Sequence, residues 1–296
     1  MITLAHISDI HLSPMPEVGF GDLLGKRLTG FLNWKLKRHG EMNTETLSRL
    51  VAHMREQKAD FTAVTGDLTN LALDSEVDRA GRWLRELGGA ERTAVCPGNH
   101  DAYVPGALEY AQEVWGDYLK GETLEGQAFP FVRRVGELAI ISCSSAVPTL
   151  PFFAVGRFEE EQAARLARIL KLLGDAGYFR VVLIHHPPNA ELQHPSFGLK
   201  GHRIFRRVIA QEGAEMILHG HTHRSSIHHI AGKNHEVPVI GVAAASAAQG
   251  GTLDDPARYN LFRIEKSGEE WRCTMREYGF QRLGADIVMR MQMRIY

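Results

Sequence analysis

Residues 93–101 read Thr93-Ala94-Val95-Cys96-Pro97-Gly98-Asn99-His100-Asp101, an apolar run that stops at Pro-Gly and gives way at once to carboxamide, imidazole and carboxylate. Four other segments share this grammar. Residues 2–8 end in Asp9-Ile10-His11, and residues 61–65 in Gly66-Asp67-Leu68-Thr69-Asn70. Residues 181–184 end in His185-His186-Pro187-Pro188, and residues 216–218 in His219-Gly220-His221-Thr222-His223. Each run, like 138–143, has the length and β-branched content of a buried strand. Between them, residues 44–57, 75–87 and 158–173 repeat apolar residues at helical spacing. Strands alternating with helices predict βαβ units and an α/β fold.

Farther along, residues 227–230, 237–242, 259–266 and 271–278 read as strands separated by turns without intervening helices, which predicts a second, more antiparallel sheet. The expected architecture is a four-layer sandwich of two packed mixed sheets with helices outside both. One catalytic domain over residues 1–283 accounts for the length, followed by a strand-like tail over 284–296 in which Ile287, Met289, Met291, Met293 and Ile295 alternate with other residues. A terminal strand suits an edge of its own sheet, and would equally pair two copies in a homo-oligomer.

In open α/β sheets, ligands bind outside the carboxyl ends of the strands, so the five polar turns should converge. Their oxygen and nitrogen donors suit Mn, Fe, Co, Ni or Zn. Alternate residues of an extended Asp-x-His or His-x-His point the same way, and the glycines before Asp67, Asn99 and His221 would let the chain turn sharply. Taken alone, Asp9-Ile10-His11 or Gly66-Asp67 is an ordinary solvated turn. Three alternating histidines at 219, 221 and 223 gain little as structure, and five such turns in order, each after a buried strand, argue for a metal site.

The ordered set Asp-x-His, Gly-Asp-x-x-Asn, Gly-Asn-His-Asp, His and Gly-His-x-His resembles the calcineurin-like metallophosphoesterases over roughly residues 1–280. The runs 97–101 and 185–188 resemble the bacterial branch that holds class III cyclic-nucleotide phosphodiesterases and glycerophosphodiesterases. The resemblance implies a dinuclear site in which Asp9, His11, Asp67 and His223 hold one metal ion and Asp67, Asn99, His185 and His221 the other. It implies two divalent or trivalent transition-metal ions, about 3.5–4 Å apart, that activate a bridging hydroxide against a phosphoester. His100 would protonate the leaving group or stabilise the phosphoryl group, with Asp101 orienting its imidazole. Asn70 is read either as a partner of a ligand or as part of a helix-entry turn, His186 as a pocket wall or a turn residue, and His219 as lying behind the ligands. Nothing ranks His194 and His202 above surface residues.

Two dications against Asp9 and Asp67 leave two positive charges, which hydroxide and a phosphodiester monoanion would neutralise while a monoester dianion would overshoot. The family resemblance implies small phosphodiesters as the substrates, and the charge count agrees with it. A phosphomonoesterase, a pyrophosphatase acting on nucleotide-linked lipids, and a non-catalytic scaffold are the alternatives. A formal charge of -1 argues against a nucleic-acid polymer as partner. Cys96, Cys143 and Cys273 are far apart and read as reduced thiols, and no leader or membrane-spanning run is visible, which together predict a soluble cytoplasmic protein. Residues 20–38 alternate Phe20, Leu23, Leu24, Leu28, Phe31, Leu32 and Leu36 with Lys26, Arg27, Lys35, Lys37 and Arg38. This basic amphipathic helix would pack on its own domain, form a lid beside the pocket, or touch a membrane surface.

Overall fold

A computed structural model describes residues 1–23, 25–35, 42–247, 255–268, 270–280 and 286–296. The strands are β1 (Ile2–Ile7), β2 (Phe61–Val64), β3 (Thr93–Val95), β4 (Glu122–Thr123), β5 (Phe131–Val135), β6 (Leu138–Ser142), β7 (Gly156–Arg157), β8 (Phe179–Leu183), β9 (Leu199–Lys200), β10 (Met216–His219), β11 (Ser226–Ala231), β12 (Glu236–Gly241), β13 (Arg258–Ser267), β14 (Glu270–Phe280) and β15 (Ile287–Arg294). The helices are α1 (Lys26–Asn33), α2 (Thr44–Glu56), α3 (Asp74–Leu87), α4 (Ala107–Trp115), α5 (Glu160–Asp175) and α6 (His202–Glu212).

Six strands form one sheet in the order β15-β14-β13-β1-β2-β3, and seven form another in the order β11-β12-β10-β8-β6-β5-β4. Each has a parallel centre, β1-β2-β3 in the first and β6-β8-β10-β12 in the second. Alternation along the second sheet separates two apolar layers. Leu138, Ile140, Val181, Leu183, Met216 and Leu218 join the core shared with the first sheet. Ala139, Ile141, Val182 and Ile217 face outward into a cluster with Leu166 and Leu170 of α5 and Phe205 and Ile209 of α6. The α/β sandwich of two mixed sheets flanked by helices is the expected one.

The late strands do not make a sheet of their own. β11 and β12 extend the second sheet from β10, while β13, β14 and β15 extend the first from β1. An uncovered parallel edge presents unpaired backbone groups, and here β12 joins β10 in parallel with β11 antiparallel outside it, while antiparallel β13 covers the β1 edge. The alternating C-terminal segment is β15, paired with β14 across one register shift.

The expected helix over residues 20–38 is divided. A 3-10 turn at Phe20–Leu23 precedes α1, which buries none of its residues fully; Leu24 and residues 36–38 lie outside the described residues. Phe31 packs against the cluster of Leu71, Ala72, Leu73, Tyr103 and Ala107, while Leu28 and Leu32 face solvent. Among the described residues no helix is long and apolar enough to cross a membrane, and all three cysteines are buried free thiols.

Candidate metal centre

The polar turns leave the C-terminal ends of β1, β2 and β3 in one sheet and of β8 and β10 in the other, and cross-bonds tie them together. The Asp9 and His11 amides donate to the Gly66 and Asp67 carbonyls at 3.0 and 2.9 Å, and the Gly220 amide to the His185 carbonyl at 3.1 Å. Asp9, His11, Asp67, His221 and His223 all take positive φ, between 40° and 69°. Left-handed backbone is unfavourable for residues with a Cβ and collects at functional sites. The donors therefore converge through tight left-handed turns, not along the extended segments expected from the alternation.

The glycines act differently from expectation as well. Only Gly66 has positive φ among the three that precede Asp67, Asn99 and His221. Gly98 and Gly220 are needed for close approach: a Cβ at 98 would lie 2.1 Å from Asp67 Oδ1, and one at 220 would lie 2.5 Å from Asp9 Oδ2.

Two groups of donors result. In the first, His223 Nε2 lies 3.4 Å from Asp9 Oδ1 and from His11 Nε2, which is 3.9 Å from Asp67 Oδ2. In the second, His185 Nε2 lies 3.3 Å from Asp67 Oδ2 and 3.2 Å from Asn99 Oδ1, which is 2.9 Å from His221 Nδ1. Ligands about 2.1 Å from one tetrahedral ion stand about 3.4 Å apart, close to this spacing. Asp67 belongs to both groups. Asp9, His11 and His185 are fully buried, whereas His221 is half-buried.

Tautomers decide what the cluster can hold. Carbonyls only accept, so His11 and His185 donate from Nδ1 to Thr69 and Thr65, and His221 donates from Nε2 to Phe197. Each ring then aims its other nitrogen into the cluster, as metal-ligating histidines do when carbonyls fix the tautomer. Burial opposes ionisation of Asp67, but His185 and His100 hold its carboxyl well below the usual carboxylate range. Burial lowers the His185 pKa, yet Asp67 and Asp9 outweigh it and raise it to about 9. Anionic oxygens facing imidazole nitrogens in a largely buried pocket fit two cations shared through Asp67.

His100 stands edge-on to His11, with ring centroids 4.9 Å apart, and donates from Nδ1 to the Asn70 carbonyl at 2.6 Å. That carbonyl is positioned by Glu76 of α3, whose carboxylate accepts from the amides of Asn70, Leu71 and Leu73. Asp101 does not orient His100. Its carboxylate accepts from the amides of Asp67, Leu68, Thr69 and Gly98 and fastens the second motif to the third. Four convergent amides at that turn leave the imidazole to another partner.

His186 is a wall, because Ser145 Oγ and the Ala154 carbonyl occupy its two nitrogens while its ring lies 4.3 Å from that of His221. His219 turns Nδ1 to the Gly220 carbonyl, behind the donors. Asn70 contributes its carbonyl, and its side-chain amide binds the Leu12 carbonyl. His194 stacks on Phe197 at 4.1 Å, and both line a cleft of about 540 Å³ that opens beside His221 and includes Pro187, Leu192 and Arg224. His202 caps back onto the Leu199 carbonyl. His6, which carried no sequence motif, is buried on Thr65 Oγ1, on the strand that leads into Asp9. Tyr103, stacked on His100 with ring centroids 5.5 Å apart, was equally silent in the sequence.

Comparison with known proteins bears on the family and the fold. A probable cyclic nucleotide phosphodiesterase of Synechococcus sp. is 23% identical over 280 residues, covering 92% of this chain and 90% of its own. A dimetal phosphatase from Danio rerio superposes with a TM-score of 0.65 at 12% identity, over 100% of this chain and 99% of that one. A purple acid phosphatase from yellow lupin gives 0.56 at 10% identity, over 94% of this chain and 51% of that one. At such identities the two structures speak for the fold alone. The sequence profile of the calcineurin-like phosphoesterases matches residues 2–225, the span that carries all five donor turns, and the chain belongs to that family.

Proposed function

We propose that the protein hydrolyses small phosphodiesters, such as cyclic nucleotides or glycerophosphodiesters, at a dinuclear centre. Asp9, His11, Asp67 and His223 would hold one transition-metal ion, and Asp67, Asn99, His185 and His221 the other. Bound there, the two ions supply the Lewis acidity that lowers the pKa of water and offsets charge on the phosphoryl oxygens. His100, fixed at Nδ1 by the Asn70 carbonyl, carries a proton on Nε2 to the departing oxygen as the ester bond to phosphorus breaks.

The observation that carries the diester reading is the two-sided surround of the cluster. One side is walled by His100 and Tyr103, and the other opens into the cleft of His221, His194 and Phe197. A diester has two substituents to place, whereas a monoester has one. The name of the Synechococcus relative supports the same choice. Exposed Leu28 and Leu32 on α1 favour a second reading, a phosphoester with an apolar tail such as a nucleotide-linked lipid. The test is kcat/KM on bis(4-nitrophenyl) phosphate against 4-nitrophenyl phosphate with Mn, Fe, Co, Ni or Zn. Preference for the diester supports the proposal, and preference for the monoester overturns it.

A further inference from the structure

Lys26, at the first position of α1, reaches toward the site. Its Nζ donates to Thr149 Oγ1 at 2.5 Å and to the Phe153 carbonyl at 3.2 Å, and stands 4.3 Å from the centroid of the Tyr103 ring. Tyr103 in turn stacks on His100, with ring planes 17° apart. The ammonium therefore sits on the His100 side of the cluster, one aromatic ring beyond the imidazole.

Its partners there are a hydroxyl, a carbonyl and a π face. Among the described residues no carboxylate pairs with Lys26, and Asp67 is the carboxylate whose charge reaches it. Burial lowers its pKa to about 8, so it remains mostly charged at neutral pH. A half-buried ammonium held by neutral groups keeps an unspent capacity for an anion, and such a charge-assisted bond is stronger than a neutral one. Thr149 and Phe153 fix its direction.

We propose that Lys26 is a specificity-determining residue that binds a second anionic group, a phosphate or carboxylate, carried on the leaving-group side of the substrate. This rests on the phosphodiesterase reading and narrows its substrate class. A diester whose departing alcohol bears a further anion would place the reacting phosphate at the donor cluster and the second anion against Nζ, spanning His100 and Tyr103.

The test compares phenyl 4-nitrophenyl phosphate with phenyl 3-carboxy-4-nitrophenyl phosphate on Mn-loaded wild type, Lys26→Met and Lys26→Arg. The wild type should favour the carboxylated ester, chiefly through KM. Lys26→Met should reduce that preference about tenfold, while Lys26→Arg retains most of it. An unchanged preference in Lys26→Met overturns the assignment. If neither ester turns over in the wild type, the phosphodiesterase reading fails, and calorimetric affinities for phenylphosphonate and 3-carboxyphenylphosphonate carry the test instead. A carboxylate preference lost in Lys26→Met then upholds the role of Lys26, and equal preference in both proteins refutes it.

Discussion

His185 and Asp67 face each other with nothing but a proton or a cation able to join them. His185 Nδ1 donates to the Thr65 carbonyl at 2.6 Å, which leaves Nε2 3.3 Å from Asp67 Oδ2. In metal-free protein a proton fills that place below about pH 9, where the carboxylates hold the imidazole charged against the cost of burial. A metal ion must displace it. Metal affinity should therefore fall about tenfold per pH unit as pH drops from 9 toward 7. Calorimetry in buffers of different ionisation enthalpy should show about one proton released as this place fills, and pH-independent affinity would contradict it.

Gly98→Ala tests the close approach of the third motif to the second. The added methyl would lie 2.1 Å from Asp67 Oδ1 and 2.5 Å from the Asp67 amide nitrogen, so the shared carboxylate must move. The variant should lose about 1–3 kcal/mol of stability and retain fewer than two metal ions per chain by elemental analysis. Full metal content in a folded Gly98→Ala protein would count against Asp67 as the shared donor.

His100 and Asp101 are neighbours in sequence with separate tasks. His100→Asn should lower turnover by about 10²–10⁴-fold while both ions stay bound. Asp101→Ala leaves four buried amides without their acceptor and should cost about 2–4 kcal/mol in denaturant unfolding. Loss of both ions in His100→Asn would reassign it from proton transfer to metal binding.

His6 gives the fold a pH dependence of its own. Burial, with a smaller push from His219 and against Asp9, lowers its pKa from 6.5 to about 3. The unfolded chain thus binds this proton first, so the stabilisation is complete above pH 6.5 and is lost as pH falls toward 3. Its share approaches about 1.4 kcal/mol per pH unit. A His6→Asn variant should lose correspondingly less stability between pH 6.5 and 4, and an unaltered slope would show that His6 does not titrate this way.

Much of the site was legible because strand-end turns carry polar donors that a buried strand would otherwise avoid. Asp9, His11, Asp67, Asn99, His185, His221 and His223 are brought together from the turns that singled them out. What the sequence hid depends on distance along the chain. Lys26 and Tyr103 meet only because α1 docks beside the third motif, and no local spacing announces it. The partition of β11 to β15 between two sheets was equally hidden, since a strand pattern does not name the edge it will join. The pairing of Asp101 with His100 failed because adjacency in sequence says little where a carboxylate can turn inward to amides. Left-handed backbone at Asp9 and His11, both with a Cβ, was masked by an alternation that reads as extended.

The proposed function requires that two ions bind in one site and that both serve phosphodiester cleavage. The direct measurement titrates metal-free protein with Mn²⁺ while following bis(4-nitrophenyl) phosphate hydrolysis and bound metal together. Activity should climb until two ions per chain are bound and then level, with Asp67→Asn failing to reach either plateau. Saturation of activity at one ion per chain, or full turnover in Asp67→Asn, would contradict it.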